Sequence, residues 1–519
     1  MKLIKNHMNM NKVVGNTSMH FYINEEFAVS DVNQPVGNVI KEVANPVIDS
    51  VKVRDEQVAV SGVLNFAVLY TAEGNGMLQG LQGELPFEEV IRMPNLKEEN
   101  EVYVRITVDS ISVKVINSKK LLVKAELTAY ATAEELMEEE VAVDIDNAAE
   151  ASVLKTKVEA LSMVANKKDT FRVREDIMIP QGKPSIYKIV WKDVKIKNIV
   201  TRLMDKMMQI NGEISVFFMY IPDEDSMLQQ WHEATITFGG TIDIPEVQEG
   251  MISYINVQLQ NANLDLNTDD LGESREVSAD IMLKLDIKAY EEKEMDILKD
   301  VYSPYSNIVP IREKGMYHKL LVKNSSKNKE TIRLSINQSK GNILQICNSG
   351  ADIKVDNVAV GENGLIIEGK IKAYVIYVSS NDNEPVCTAY KEIEFSHKID
   401  AEGITSNDEY YINWHMEQVN ANMVSADEIE IKTVMVVEAI VFKKCEESII
   451  TDIDEEPLDM TKIAQMPTVK GHIVQSGETL WDIAKENYTT MEKIIAVNNI
   501  KDGQVKRGDR LLILKATRK

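Results

Sequence analysis

Three short segments decide the fold: SGVLNFAVLY at residues 61–70, NGEISVFFMY at 211–220 and EGKIKAYVIY at 368–377. In each segment a glycine stands eight residues before a tyrosine, and apolar residues alternate along the stretch between them. Alternation with a period of two, rich in Val, Ile, Phe and Tyr, predicts a β-strand. The same strand signature therefore occurs three times.

The similarity continues outside this strand. The first two glycines are 150 residues apart, and at the same offset FYINEEF from residue 21 matches FRVREDI from residue 171. The third glycine follows the second by 157 residues. The copies also end alike, with LTAY at Tyr130, IKAY at Tyr290 and VEAI at Ile440. Shared markers in three places indicate tandem repeats.

Each repeat is predicted to be mainly β. A polar turn and further alternating strands follow every signature strand, and no regular helical pattern alternates with them, which favours a sandwich or a strongly curved sheet. We predict repeats over residues 1–147, 148–300 and 301–445, each long enough to bury its own core. Only residues 150–164 fit a helix about as well as a strand.

Residues 446–470 have a different character. Seven acidic residues occur between 446 and 459, with no basic residue before Lys462 and with prolines at 457 and 467. Like charges repel and few apolar residues are available for burial, so we predict an extended acidic linker.

Composition narrows the classes of function. The 519 residues include 82 acidic and 58 basic side chains, a net charge of -24, which disfavours nucleic acid and anionic membranes as partners. No apolar stretch reaches the roughly 20 residues that a bilayer span needs. The N-terminus lacks the apolar core and cleavage site of a signal peptide. The three cysteines, Cys347, Cys387 and Cys445, show no disulfide pattern. We expect an unprocessed cytosolic chain whose cysteines are small buried hydrophobic residues.

The C-terminal sequence HIVQSGETLWDIAKENYTTMEKIIAVNNIKDGQVKRGDRLLIL, residues 472–514, predicts a small β-α-α-β module. Thr479 is placed to cap the first helix and Thr489 or Thr490 the second. From residue 471 onward the net charge is +3, whereas the rest of the chain sums to -27. A basic module on an acidic body favours a partner with acidic surface, unless the charge only keeps the surface hydrated.

This module, residues 471–516, resembles a LysM domain in V-x-S-G-E-T-L-W-D-I-A, N-Y-T-T, I-x-x-V-N-N-I and K-R-G-D-R-L-L-I. The resemblance implies binding of N-acetylglucosamine polymers or of proteins, in a groove between two loops. The residues that it assigns to this groove are Ser476, Gly477, Glu478, Thr479 and Leu480 on one side and Asn499, Ile500 and Lys501 on the other. Gly477 and Thr479 also fit plain turn and cap chemistry. Trp481 is either part of the core or an anchor at a binding surface.

Together, the three repeats and the terminal module make the chain similar to the SipL family of spore coat morphogenetic proteins, whose repeats are called SPOCS domains. The resemblance implies a mother-cell protein at the forespore surface. Its LysM domain would bind SpoIVA, the ATPase of the coat basement layer, and other coat proteins would be recruited or supported. Because mother-cell cytoplasm does not meet the cortex, a protein ligand is favoured over a glycan.

Two alternatives belong to other classes. One is a peptidoglycan-binding LysM protein of the cell wall or spore cortex, and the other is a LysM-linked cell-wall hydrolase. The sequence disfavours an enzyme, because its seven histidines are scattered and no nucleophile, paired-carboxylate or metal-ligand pattern occurs. Cys387 and His397 lie ten residues apart in the third repeat only, which favours coincidence. We expect no cofactor and no metal.

Overall fold

A computed structural model describes residues 1–146, 150–223, 229–268, 272–337, 340–500 and 503–514, with all their side chains except those of Asn11, Met460 and Lys462. Strands hold 75% of the residues and helices 4%, which confirms the mainly β prediction. The described residues form three groups of six long strands, followed by a small module of short strands and helices.

The first repeat contains β1 (Leu3–Ala28), β2 (Val36–Arg54), β3 (Gln57–Ala72), β4 (Leu78–Arg92), β5 (Glu101–Asn117) and β6 (Lys120–Ile145). The second contains β7 (Ser152–Met178), β8 (Ile186–Met204), β9 (Met207–Pro222), β10 (Gln230–Asp243), β11 (Ile252–Asn267) and β12 (Glu276–Tyr302). The third contains β13 (Asn307–Ser335), β14 (Ile343–Gly361), β15 (Gly364–Ser379), β16 (Val386–Asp400), β17 (Glu409–Met423) and β18 (Glu428–Glu456). After them come α1 (Met460–Gln465), β19 (Val469–Ile473), α2 (Leu480–Glu486), α3 (Met491–Asn498) and β20 (Arg510–Leu514).

Each repeat folds into two antiparallel three-stranded sheets. The short-strand sheets have the orders β2-β3-β4, β8-β9-β10 and β14-β15-β16, and the long-strand sheets β1-β6-β5, β7-β12-β11 and β13-β18-β17. Apolar residues from both sheets form one buried cluster in the first repeat, one in the third and two in the second. Each repeat is thus a β-sandwich, one of the two predicted forms.

The repeat signature marks the central strand of each short-strand sheet. A Cβ on Gly62 would lie 2.1 Å from the carbonyl oxygen of Val47 on β2, so only glycine fits this close approach. A phenylalanine of the neighbouring strand faces each signature glycine: Phe87 faces Gly62, Phe238 faces Gly212 and Phe395 faces Gly369. The Tyr70 ring is fully buried, and its hydroxyl donates to the Gln34 carbonyl oxygen at 2.7 Å.

The markers that end the repeats in the sequence are not equivalent in the structure. A β-bulge interrupts the third strand of each long-strand sheet next to Leu127, Leu283 and Met435. Counted from these residues, Tyr130, Tyr290 and Ile440 lie three, seven and five positions further. Apolar and polar residues alternate regularly along these long strands, before and after the markers. A four-residue pattern of this kind therefore fits several positions of a strand and does not define equivalent residues.

Beyond the end of the third strand, each pair of long strands continues as a two-stranded ribbon. Glu134 is the last residue of β6 that pairs with β5, and from there β6 pairs with β1 alone. The ribbons begin likewise after Tyr290 and Phe442. They share an apolar core that includes Met10, Val141, Val158, Ile297, Tyr317 and Ile449. We call the three ribbons the ribbon stalk and the three sandwiches the head.

The ribbon stalk changes two predictions. Residues 446–456, predicted as part of an extended linker, are the end of β18 and pair with β13, so the linker prediction is wrong there. Their acidic side chains dominate the composition, but Ile449 and Ile450 are buried in two apolar clusters of the stalk. Short helix α1 occupies part of the remaining connection. Residues 150–164, left open between helix and strand, belong mainly to β7.

Candidate functional site

The C-terminal module is built around one small sheet. Strands β19 and β20 pair antiparallel, with α2 and α3 between them in the chain, as the β-α-α-β prediction requires. Leu511 and Ile513 of β20 join Val474, Ile483 and Ile494 in a buried core. Helix α1 precedes this unit and was not predicted.

Threonine caps begin both helices. The Thr479 hydroxyl accepts from the Asp482 backbone N–H at 3.2 Å, and the Asp482 carboxylate accepts from the Thr479 N–H at 3.0 Å, a reciprocal capping box. Thr490 caps α3, whereas the Thr489 hydroxyl donates to the Leu514 carbonyl oxygen at 2.8 Å. Of the two candidates for the second cap, Thr490 is therefore the correct one.

The first predicted loop is held by its glutamate. The Glu478 carboxylate accepts from the Gln475 backbone N–H at 2.7 Å and lies 2.9 Å from the His472 imidazole, and these two contacts lower the pKa of Glu478. Gly477 has φ +86°, which favours glycine at this turn. Ser476 and Gly477 are exposed, so the tip of the loop is accessible.

The other predicted residues are placed differently. Asn499 is exposed and ends α3 in the left-handed conformation, with φ 50°. Ile500 is half-buried and packs against the module core, and Leu480 is buried within that core. Lys501 lies outside the described residues. The accessible part of the predicted groove is therefore formed by Ser476, Gly477, Thr479 and Asn499, with Glu478 partly covered.

Trp481 is neither free at the surface nor confined to the module. It is only 4% exposed, and its ring packs edge-on against Tyr302 of β12, with 4.7 Å between the ring centroids. Its indole Nε1–H donates to the Asp300 carboxylate at 2.8 Å. Trp481 thus joins the module to the end of the ribbon stalk.

Asp300 is the polar centre of this junction. Lys485, one turn after Trp481, places its Nζ 2.7 and 2.9 Å from the two Asp300 carboxylate oxygens, and Arg312 donates at 2.8 Å. Burial alone would raise the pKa of Asp300, but the hydrogen bonds from Lys485 and Trp481 outweigh it and lower the pKa. The Tyr302 hydroxyl donates to the Thr489 carbonyl oxygen at 3.0 Å. Sequence reasoning missed Asp300 and Tyr302, since no motif connects β12 with the module.

A second group of buried polar side chains lies where the head meets the ribbon stalk. Lys288 of the second repeat donates to both Glu134 oxygens of the first at 2.6 Å, and the Tyr411 hydroxyl of the third donates to Glu134 at 2.6 Å. The side chains of Lys288 and Glu134 are 6% and 2% exposed. Side chains of all three repeats thus meet at the carboxylate of Glu134, which indicates a structural role.

A comparable group connects the short-strand sheets. Asp193 of β8 pairs with Lys195 at 2.7 Å and accepts from the Tyr374 hydroxyl of β15 at 2.7 Å. Burial would raise the pKa of Asp193, but Lys195 and Tyr374 hold it below its usual value. Lys41 of β2 lies over the Tyr374 ring at 3.3 Å, and burial lowers its pKa to about 8.

Cys387 and His397 have separate partners. The Cys387 thiol is buried, contacts the Glu384 carbonyl oxygen at 3.5 Å, and burial raises its pKa. The His397 Nε2 lies 2.7 Å from the Ser326 hydroxyl. Within the described ranges, no group of three or more His, Cys, Asp or Glu side chains is suited to a metal ion. No helix of the described chain is long and apolar enough to cross a membrane.

Comparison with protein families gives two matches. The model of the SipL SPOCS domain matches residues 35–116, 185–267 and 342–424, and the LysM domain model matches residues 472–513. Each SPOCS match runs from the first strand of a short-strand sheet to the third strand of the long-strand sheet. Both are binding or scaffold domains without catalytic function. No curated protein and no solved structure matches the chain.

Proposed function

This chain belongs to the SipL-like proteins with three SPOCS domains and a C-terminal LysM domain, and from that premise we propose that it is a non-enzymatic scaffold of the spore coat. In this proposal the LysM domain binds the coat-basement ATPase SpoIVA at the forespore surface. The SPOCS head recruits or supports other coat proteins, on the mother-cell side.

The separation of the two ends of the molecule carries this proposal. The LysM domain contacts the end of the ribbon stalk at Asp300 and Tyr302, whereas the sandwiches lie at the opposite end. At ~3.3 Å per residue, the stretch of β12 from Tyr290 to Tyr302 spans about 40 Å. A scaffold needs such spacing, because a head bound to one layer must not collide with the layer that holds the LysM domain.

Charge supports a protein partner for the LysM domain. Lys506 and Arg507 are exposed just before β20 and Arg510 at its first position, whereas the protein as a whole has a net charge of -24. Opposite charges accelerate and orient association, and the acidic head would repel a second acidic surface. An acidic region on SpoIVA is therefore the expected contact. The exposed Ser476-Gly477 turn is the other accessible element of this surface.

The test compares two serine-to-glutamate variants of the full chain. Ser476→Glu places a negative charge at the exposed loop tip, and Ser448→Glu places the same residue at an exposed position of β18. Because a carboxylate at the loop would repel an acidic partner surface, we expect Ser476→Glu to lose capture of purified SpoIVA and the fluorescent cap around the forespore, and Ser448→Glu to keep both.

Three outcomes separate the classes of function. Unchanged SpoIVA capture and localisation in Ser476→Glu would contradict the loop as the binding surface. Capture of peptidoglycan but not SpoIVA by the unmodified chain would favour the wall- or cortex-binding alternative. Clearing of peptidoglycan in a gel would favour a hydrolase.

A further inference from the structure

The end of the ribbon stalk is closed by the LysM domain. The stalk core continues through Val301 and Ile308 to the end of β12, where Tyr302 is the last residue of the strand. Tyr302 is buried, and it belongs to the same apolar cluster as Trp481 and Leu480 of the LysM domain. Leu154 of β7, paired with Asp300, packs against this cluster too. Without the domain, these apolar side chains would face water.

Helix α2 provides the surface that covers them. Trp481 and Lys485 are four residues apart, so both lie on one face of the helix. The indole ring covers Tyr302, while the indole N–H and the Lys485 ammonium both reach Asp300. This combination of an aromatic contact and charge-assisted hydrogen bonds fixes the orientation of the helix as well as its position.

The same contact separates the two faces of the LysM domain. Trp481 is covered by the stalk, but Ser476, Gly477 and Asn499 remain exposed. A partner that binds these loops therefore does not need the face of α2 that contacts Asp300.

We propose that the LysM domain has a second function as a cap of the ribbon stalk, in which Trp481 covers the open apolar end and Asp300 positions it. Trp481 is then a positioning residue of the scaffold and not a contact of the partner. This proposal rests on the contacts between α2 and β12 and is independent of what the exposed loops bind.

Hydrogen exchange of the full chain, with no partner present, tests the cap. Asp300→Asn removes the carboxylate from the stalk side, and Trp481→Ala removes the ring from the domain side. We expect amide exchange at residues 152–154 and 300–302 to become about tenfold faster or more in both variants, since charge-assisted hydrogen bonds and buried apolar contacts are lost. Lys485→Arg should stay close to the unmodified chain.

Two controls make the result specific. Asp31→Asn makes the same substitution at an exposed residue of the head, and Ser476→Glu alters only the loop. Neither should change exchange at the stalk end. The indole N–H NMR signal of Trp481 should shift in Asp300→Asn, which reports loss of the hydrogen bond directly. Unchanged exchange at the stalk end in Asp300→Asn would overturn the proposal even if Trp481→Ala unfolds the domain. Failure of SpoIVA binding would not affect it.

Discussion

Replacing Lys288 by methionine should strongly destabilise the whole head. The substitution keeps the length of the apolar stem but removes the ammonium group that lies 2.6 Å from both oxygens of Glu134. Of the Lys288 and Tyr411 donors to the buried Glu134 carboxylate, only the Tyr411 hydroxyl then remains. Removing one partner of a buried pair typically costs about 3–5 kcal/mol of unfolding free energy, and we expect a loss in this range.

A double variant separates the charge from the shape. When Glu134→Met accompanies Lys288→Met, no uncompensated charge is buried, and the remaining cost is that of the Tyr411 hydroxyl without its acceptor. That cost is about 1–3 kcal/mol. The double variant should therefore be more stable than Lys288→Met alone.

Urea unfolding followed by circular dichroism measures these differences, provided that the slope of free energy against urea is unchanged. Lys157→Met is the matched control, because the Lys157–Glu294 pair is 3.8 Å apart and largely exposed, and such pairs contribute under about 1 kcal/mol. If Lys288→Met costs no more than this control, or if the double variant is no better than the single one, the reasoning fails.

Three further outcomes are expected. Gly369→Ala should lower the unfolding midpoint in urea, because the added Cβ would lie 2.1 Å from the Lys354 carbonyl oxygen. In Gly182→Ala the added Cβ meets no atom within 4 Å, so the midpoint should not change. Equal midpoints of the two variants would contradict the close approach at Gly369. Since the folded pKa of Asp300 is lowered, its contribution should be complete above the ordinary aspartate pKa and lost as pH falls through the lowered value. The Trp481 indole NMR signal of the unmodified chain should accordingly move as the pH is lowered, whereas in Asp300→Asn its position should not depend on pH in this range. Capture of SpoIVA by the full chain should weaken at high salt, and an unchanged yield would argue against charge complementarity.

The sequence predicted the structure correctly at positions where a local physical requirement is met by only one or two residue types. Gly62 and Tyr70 identify the central strand of a sandwich because close approach excludes a side chain and a buried hydroxyl needs an acceptor. The capping residue Thr479 and the Gly477 turn identify the C-terminal module for a similar reason. These features are local, so a few neighbouring residues are sufficient to recognise them.

The ribbon stalk and its junction could not be read in this way. Met8 pairs with Glu139 and Trp481 contacts Asp300, residues that are 131 and 181 positions apart in the chain. Nothing local specifies such pairing. The linker prediction fails at the end of β18 because the acidic residues there outnumber the isoleucines that are buried in the stalk. Trp481 was recognised as important, but a single sequence does not tell which surface a tryptophan covers.

The residues at which the ribbon stalk begins have a consequence for how the chain is assembled. Glu134, Tyr290 and Phe442 pair with the first residues of β5, β11 and β17, so they occupy corresponding positions of the three repeats. Identical subunits around a rotation axis would bring three copies of one residue together there, so a glutamate would meet two more glutamates. Concatenation in one polypeptide removes this restriction and allows a single carboxylate to meet a single lysine. The three repeats are therefore not interchangeable: deleting or exchanging the first would leave Lys288 buried without its counter-charge, and deleting or exchanging the second would do the same to Glu134.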